Sequence, residues 1–411
     1  MSEPSPVVDG LMNASAAIRR LQEAPTVFLA EPFFGIGGAF YSLTMGGIHT
    51  RLRNTCDTDE KLGEFNRKRG ELAGIDLDPC VCYGEMGNMM NWDTSDLQDV
   101  DILCCGPPCQ PWASSGKRRG EDDPRSSCYW RVVDWIEYLS VRGCLKAYLI
   151  ENSPEIMSIA SGGKSFAEVV LERLSGSVPF FKHSLSMIGP GSSCLHRERA
   201  WLRGVRVDVL ANADGVIRRV PAPLLRLECP RALVDVIVKG LSNTQPSDLA
   251  HNRREHLALY VALVKQDVAA GRAGDIAVFD VERSPRRAMS GFTGTVMYDR
   301  LPSFRTGGPA LFLATARDIH KPLDQREVFR LMHVDERFRA QGYPACTSTC
   351  SDTIGLCRRV TGNAYPVDMV ARALYPIVDM LAEKGFLDGT RRSATAQDLA
   401  RMANTANSCS A

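Results

Sequence analysis

An α/β fold is predicted, with a central sheet that has helices on both faces and carries a smaller inserted domain. Three observations predict it. First, the apolar run Thr26-Val27-Phe28-Leu29-Ala30 leads into Phe33-Phe34-Gly35-Ile36-Gly37-Gly38 and then into a helical stretch from Ala39 to Met45. Strand, glycine turn and helix open nucleotide-binding α/β folds, because glycine lets backbone approach a ligand that the helix N-terminus faces. Second, buried runs at Asp101–Cys105 and Ala147–Ile150 each end in a polar or proline-rich loop, the pattern of strands covered on both faces. Third, residues 207–316 change texture, with Pro221, Pro223, Pro230 and Pro246 ahead of a helical run from Asp248 to Ala270.

Composition bounds the answer. A chain of 411 residues, 44% hydrophobic and 24% charged, is an ordinary soluble globular protein of two domains. Its formal net charge of +1 excludes a uniformly basic surface, so any nucleic-acid role requires charge to be segregated. The 14 cysteines are scattered, include the adjacent pair Cys104-Cys105, and form no paired Cys-x-x-Cys framework; reduced thiols in an intracellular compartment fit best. His333, Cys346, Cys350 and Cys357 match no common zinc spacing, and no metal is expected. No apolar run reaches transmembrane length, so no membrane partner is expected either.

Taken in order, residues 1–24 read as a tail. The glycine turn at 33–38 serves either packing or a cofactor. After the strand Leu52–Cys56 comes Asp57-Thr58-Asp59. An acid there can accept both ribose hydroxyls or cap the next helix; Asp57 is assigned the first role and Asp59 the second. A loop from Gly70 to Tyr83 precedes Gly87-Asn88-Met89-Met90.

Gly106 to Arg125 is the most distinctive stretch. Pro107, Pro108 and Pro111 fix φ and remove donors, which forces a stiff loop. Cys109 then sits beyond the carboxyl end of a strand, where a thiol is either an inert packing group or a nucleophile. Ser126 to Val141 carries Trp130, Val133, Trp135, Ile136 and Leu139 at helical spacing, as core. The Ala147–Ile150 strand delivers Glu151-Asn152-Ser153, a carboxylate for the pocket of Cys109 or a loop cap. A helix from Phe166 to Leu174 and a strand from Phe180 to Met187 follow, and Leu195-His196-Arg197-Glu198-Arg199 enters the strand 200–205. On an extended segment Arg197 and Arg199 face one side, which suits an anionic or carbonyl-rich ligand.

These motifs, in this order, resemble the cytosine-C5 methyltransferases over most of the chain. Phe33-x-Gly35-Ile36-Gly37-Gly38 is similar to the family's first cofactor motif, and Asp57 with Thr58 falls where a ribose-binding acid lies. Gly87-Asn88-Met89 takes the place of an adenine-contacting Gly-Asp-Ile, Gly106–Trp112 that of the nucleophile loop, and Glu151-Asn152 that of Glu-Asn-Val. Arg197-x-Arg199 corresponds to Gln-x-Arg-x-Arg, Lys321–Val334 to the ninth motif, and Gly362-Asn363-Ala364-Tyr365 to the tenth. The departures are Asn88 for aspartate, Ser153 for valine, Leu195 for glutamine, Cys128 for a leucine, and Trp112-Ala113 for Phe-Ser.

The resemblance implies a Rossmann-like class I methyltransferase sheet and S-adenosylmethionine as cofactor, held by Phe33, Gly35, Ile36, Gly37, Gly38, Asp57, Thr58, Asn88, Met89, Pro108, Cys128, Asn363 and Tyr365. It implies double-stranded DNA as partner, with transfer RNA or a catalytically silent binding role as alternatives. Cys109 would add to carbon 6 of a flipped-out cytosine, a protonated Glu151 with a burial-raised pKa would stabilise N3, and Arg197 and Arg199 would complete the catalytic set. The expected domains are a tail (1–24), a catalytic domain in two parts (25–206 and 317–388), a target-recognition domain (207–316) and a disordered tail (389–411). Lys117-Arg118-Arg119, Arg253-Arg254 and Arg283–Arg287 are candidate phosphate contacts, and Gly291–Thr295 and Thr306–Gly308 candidate groove-entering loops. A monomer in the cytoplasm, or in the nucleus of a eukaryote, is the expected state.

Overall fold

In the computed structural model the described residues are 26–387 except 74–80, 115, 159–162, 191–193, 226–231, 286–295, 305–309 and 344–353. Both tails, Cys346, Cys350 and the two glycine-rich loops of the insert lie outside them. The first elements are β1 (Thr26–Pro32), α1 (Gly38–Met45), β2 (His49–Asp57), α2 (Lys61–Ala73), β3 (Val81–Tyr83), β4 (Ile102–Cys105) and α3 (Ser127–Val141). Next come β5 (Ala147–Asn152), α4 (Phe166–Ser177), β6 (Phe181–Ile188), β7 (Leu195–His196), β8 (Arg199–Arg206) and α5 (His251–Ala269). The chain closes with β9 (Ile276–Asp280), β10 (Met297–Tyr298), β11 (Leu301–Pro302), β12 (Leu311–Thr315), β13 (Phe329–Leu331), α6 (Val334–Ala340), α7 (Ile354–Asn363) and α8 (Val367–Glu383).

Two compact units result: residues 1–191, 198–229 and 367–411 form one, and residues 192–197 and 230–366 the other. Besides residues 192–197, the second unit begins at 230 where the insert was expected from 207, and it takes in residues 317–366.

The first unit is built on a seven-stranded sheet of order β3-β2-β1-β4-β5-β8-β6. Its first five strands are parallel, and β8 runs antiparallel to both neighbours. This mixed central sheet flanked by helices is the Rossmann-like architecture that the glycine turn implied. Buried Ala30, Leu103, Cys105, Tyr148 and Ile150 share one core with Val132, Val133, Trp135 and Ile136 of α3 and with Phe166, Val170 and Leu174 of α4. Their strand neighbours Leu29, Ile102, Cys104 and Leu149 are equally buried and alternate to the opposite face. Helices α1 and α8 pack on each other, with Tyr375 Oη donating to Ser42 O at 2.7 Å. The loop expected from Gly70 to Tyr83 is shorter than its composition suggested. Helix α2 runs on to Ala73, and Val81–Tyr83 pairs in register with Thr55–Asp57; three residues are too few to show strand periodicity.

In the second unit β10-β9-β12-β13 form an antiparallel sheet. Tyr260 of α5 stacks on Phe279, Phe279 on Phe312, and Phe312 meets Phe329 edge-on, a run of offset rings that anchors the helix to the sheet. On α6, Glu336 pairs with Arg330 at 2.5 Å while both are buried. It also accepts Val238 N at 2.9 Å and His333 N at 2.7 Å, so the desolvated carboxylate is fully hydrogen-bonded.

One crossing in the first sheet has an exact steric requirement. Gly204 on β8 lies in register between Tyr148 of β5 and His183 of β6. The Tyr148 ring passes over Gly204 so closely that a Cβ there would sit 2.1 Å from a ring carbon, and its hydroxyl meets His183 Nδ1 at 2.6 Å. Gly204→Val therefore expels the ring from its site and costs about 1–3 kcal/mol, to be read by chemical denaturation; an unchanged midpoint would contradict the crossing. Burial lowers His183 to about 4 from an ordinary 6.5. Between those values only the unfolded chain takes the proton, so the stability from a neutral His183 is full above about pH 6.5 and declines toward pH 4. His183→Phe should flatten that acid limb in denaturation scans.

Candidate active site

Parallel strands bring the loops after β1, β2, β4 and β5 to one edge of the sheet, beside the point where the order reverses between β1 and β4. The glycine turn after β1 is tightly bent, with Phe33 (φ 59°), Gly35 (φ 53°) and Gly37 (φ 72°) all left-handed. A Cβ at Gly37 would strike the Phe34 ring at 2.6 Å, whereas one at Gly35 would meet nothing nearer than Phe33 O at 3.8 Å. Among the described residues Gly37 is thus closed by protein, while Gly35 has room for a ligand.

Glu31 holds the turn from below. This fully buried carboxylate accepts Ala39 N on Oε1 at 2.9 Å and Phe40 N on Oε2 at 3.0 Å, capping α1. The sequence reading passed over it. The available signal was an acid at the end of an apolar run, just ahead of the glycine turn.

Asp57, at the end of β2, accepts Gly35 N on Oδ2 at 2.8 Å and Asp59 N on Oδ1 at 2.9 Å. A carboxylate at this place shapes the turn from the end of the strand. Asp59 accepts Lys61 N at 3.2 Å, the capping role assigned to it. Thr58 beside it is exposed. Gly87 lies so close to Asp57 O that a Cβ would come within 2.1 Å, which draws Asn88 and Met89 to the same edge. Asn88 Oδ1 accepts Met90 N at 3.2 Å and Met89 is buried. Arg131 of α3 donates to the carbonyls of Met89 and Trp92, fixing this segment to the sheet's cover. On the same helix the Cys128 thiol is half-buried and pushed up by that burial.

The proline loop follows β4. Cys109 is half-exposed, and its carbonyl accepts both Trp112 N at 3.0 Å and Ala113 N at 2.8 Å, a tight turn that presents the residue. Trp112 anchors the loop by packing on Phe166 (4.5 Å between centroids) and Tyr129 (5.8 Å), so the Phe-to-Trp departure fills a buried slot. Asn152 Nδ2 donates to Pro107 O at 3.3 Å, and Ser114 N to Glu155 Oε1 at 3.1 Å; both tie this loop to the one after β5. Further on, Arg125 grips Asp123 through Nε and Nη2 at 2.8 and 2.7 Å and holds that carboxyl well below its usual range. Arg125 itself is raised, chiefly by Asp123 and least by Cys109, which puts a guanidinium within electrostatic reach of the thiol.

Glu151 is the fifth residue of β5, one beyond the Cys105↔Ile150 pair of the parallel register. It is 6% exposed and meets Arg199 Nε at 2.7 Å through Oε1. A guanidinium on the neighbouring antiparallel strand thus orients the carboxylate. Arg197 departs from the expected strand geometry: its N–H donates back to Leu195 O at 3.0 Å, and β8 starts only at Arg199. Two-residue alternation therefore does not relate the two arginines. Arg197, buried, belongs to the second unit, as do Asn363 at the end of α7 and Tyr365, whose carbonyl accepts Tyr343 Oη at 3.0 Å. Leu195, where a glutamine was expected, is buried in β7 against Leu301 of β11, a site for an apolar side chain.

Comparison with known proteins bears on the same segment. The profile of the C-5 cytosine-specific DNA methylase family matches residues 81–177. The type II methyltransferase M.NgoBI of Neisseria gonorrhoeae is 34% identical over 104 residues, which is 24% of this chain and 31% of that protein. M.FnuDI of Fusobacterium nucleatum is 21% identical over 367 residues, 87% of this chain and 95% of its own length. A tRNA (cytosine(38)-C(5))-methyltransferase of Schizosaccharomyces pombe is 26% identical over 127 residues, 30% of this chain and 34% of that one. Among solved structures, a mutant of Spodoptera frugiperda DNMT2 superposes with a TM-score of 0.52 at 13% identity, covering 86% of this chain and 99% of its own.

Since Glu31 satisfies two helix N–H groups in a site without water access, Glu31→Ala should cost about 1–3 kcal/mol. Denaturant titration checks this, and a loss below a few tenths would show that the cap does not bear on the fold.

Proposed function

Given that the chain belongs to the C-5 cytosine-specific DNA methylase family, we propose that it methylates carbon 5 of cytosine in double-stranded DNA, with S-adenosylmethionine as donor. The observation that carries this reading is the Glu151–Arg199 pair at 2.7 Å, on the strand adjoining the Cys109 loop and tied to it through Asn152 and Pro107.

The donor, when bound, supplies an electrophilic methyl group. Phe33, Gly35, Ile36, Gly37, Gly38, Asp57, Thr58, Asn88, Met89, Pro108 and Cys128 would hold it. Room at Gly35 among the described residues, beside the Asp57 carboxylate that holds its N–H, fits such a group. The reacting groups are the chain's own. Cytosine carbon 5 is a poor nucleophile until the ring becomes enamine-like. Cys109 thiolate adds to carbon 6 while Glu151 hydrogen-bonds to the N3 edge of the ring, and Arg199 binds O2. Once carbon 5 is methylated it gives up its proton to water, and the electron pair re-forms the ring double bond and expels Cys109 as thiolate. The base must leave the duplex first, at a cost of roughly a few kcal/mol.

Phosphate contacts offset that cost. Lys117, Arg118 and Arg119 are exposed in the Cys109 loop and suit this role. In the second unit, proposed to carry target recognition, Arg253 is engaged by Glu282 and Arg283 lies 4.0 Å from Asp280, so their charge is partly balanced locally. The likeness to a tRNA enzyme favours transfer RNA as the second reading.

Purified protein incubated with labelled S-adenosylmethionine and either duplex DNA or transfer RNA should label the DNA; label in RNA alone would transfer the assignment to the second reading. Cys109→Ser should lower turnover by at least about 10³-fold, and the native protein should form a covalent adduct with 5-fluorocytosine DNA. Absence of both effects would point to a silent family member.

A further inference from the structure

Helix α2 contributes two side chains to the glycine turn that no motif identifies. Asn66 and Arg69 stand three residues apart, on one face of the helix. Asn66 Nδ2 donates to Gly35 O at 2.8 Å and Arg69 Nη2 to Ile36 O at 2.9 Å. Two consecutive carbonyls of the turn are therefore held by one helix. Because the intervening peptides are trans, the Ile36 N–H points opposite to the Gly35 carbonyl, away from α2.

Neither side chain is cheap to keep where it is. Asn66 is 1% exposed, sits inside a helix that asparagine disfavours, and leaves Oδ1 buried without a hydrogen bond among the described residues. A leucine would fill the space without that penalty. Arg69 is fully buried, with its guanidinium 4.5 Å from the centroid of the Tyr41 ring. Tyr83 Oη takes the second bond of Asn66 Nδ2 at 3.1 Å, and its ring lies where a Cβ on Gly63 would meet it at 3.3 Å. Tyr83 therefore braces Asn66 in the rotamer that reaches Gly35.

We infer that Asn66 and Arg69 are positioning residues, with Tyr83 as their brace, that hold the glycine turn in its cofactor-receiving conformation. Neither touches the reacting atoms. Their effect is on cofactor affinity, and the inference rests on the proposed use of S-adenosylmethionine at that turn.

The test measures binding of S-adenosylhomocysteine by calorimetry, thermal stability without ligand, and steady-state methyl transfer to nucleic acid. In Asn66→Ala the dissociation constant should rise about tenfold, with kcat at saturating cofactor and KM for nucleic acid within about twofold of native. Asn66→Asp keeps the shape but loses the donor, and should behave in the same way. Tyr83→Phe, which spares the Gly35 bond, should weaken binding by only about two- to threefold. Arg69→Lys should retain most of the affinity. Folded Asn66 variants that bind the ligand as tightly as native protein would overturn the inference, as would equal losses in cofactor affinity and in kcat. Should the native protein itself bind no S-adenosylhomocysteine, the reading of the site fails first, which is a separate outcome.

Discussion

Five strands that run the same way, β3, β2, β1, β4 and β5, impose the constraint from which the rest follows. Parallel strands can only be joined by crossovers, so each strand's carboxyl end releases a loop at the same edge. The glycine turn, Asp57, the Cys109 loop and Glu151 come from sequence positions as much as 100 residues apart or more, yet they share that edge. The antiparallel β8 then enters from the other direction and lays Arg199 against Glu151. A loop at the opposite edge could contribute nothing to this arrangement.

Polar groups at this edge serve the backbone before they serve any ligand. Glu31 caps α1, Asp57 receives Gly35 N and Asp59 N, Asn88 caps the turn at Met90, and Asn152 spans from its own strand end to Pro107. Unpaired, each would carry a desolvation penalty. Paired, each fixes a loop whose conformation a ligand would otherwise have to order at its own expense. Preorganisation of this kind explains why substitutions at the motif positions can be tolerated: Asn88 keeps the acceptor oxygen that an aspartate would offer, and Trp112 finds an aromatic slot between Tyr129 and Phe166.

The units differ in how they achieve stability. A sheet covered by helices α3 and α4 supplies the first with a continuous apolar core, and β5, β8 and β6 are locked by one tyrosine that crosses a glycine. The second relies on a ladder of aromatic rings and on a buried Arg330–Glu336 pair. Leu195 belongs to the apolar interior of that unit, so the departure from a polar residue there is a matter of packing, and any polar contact a glutamine would make must be supplied by other groups.

By itself the sequence determined the order and type of the central elements. Apolar runs, glycines and prolines act over a few residues, and β1, β4, β5, α3 and α4 appear within a few residues of where that local pattern put them. Cys109 and Glu151 stood out as candidates for the same reason, since each lies at or a few residues beyond the carboxyl end of a buried run. Tertiary structure alone decided what each polar group is paired with. Glu31 showed only as an acid at the end of an apolar run, and Asn66 and Arg69 carry no local signature, because their partners are backbone atoms 8, 31 and 33 residues away. The same holds for the turn that takes Arg197 out of strand alternation and for the unit boundary at 230: hydrogen bonds and packing between distant segments set both, and no short-range pattern encodes them.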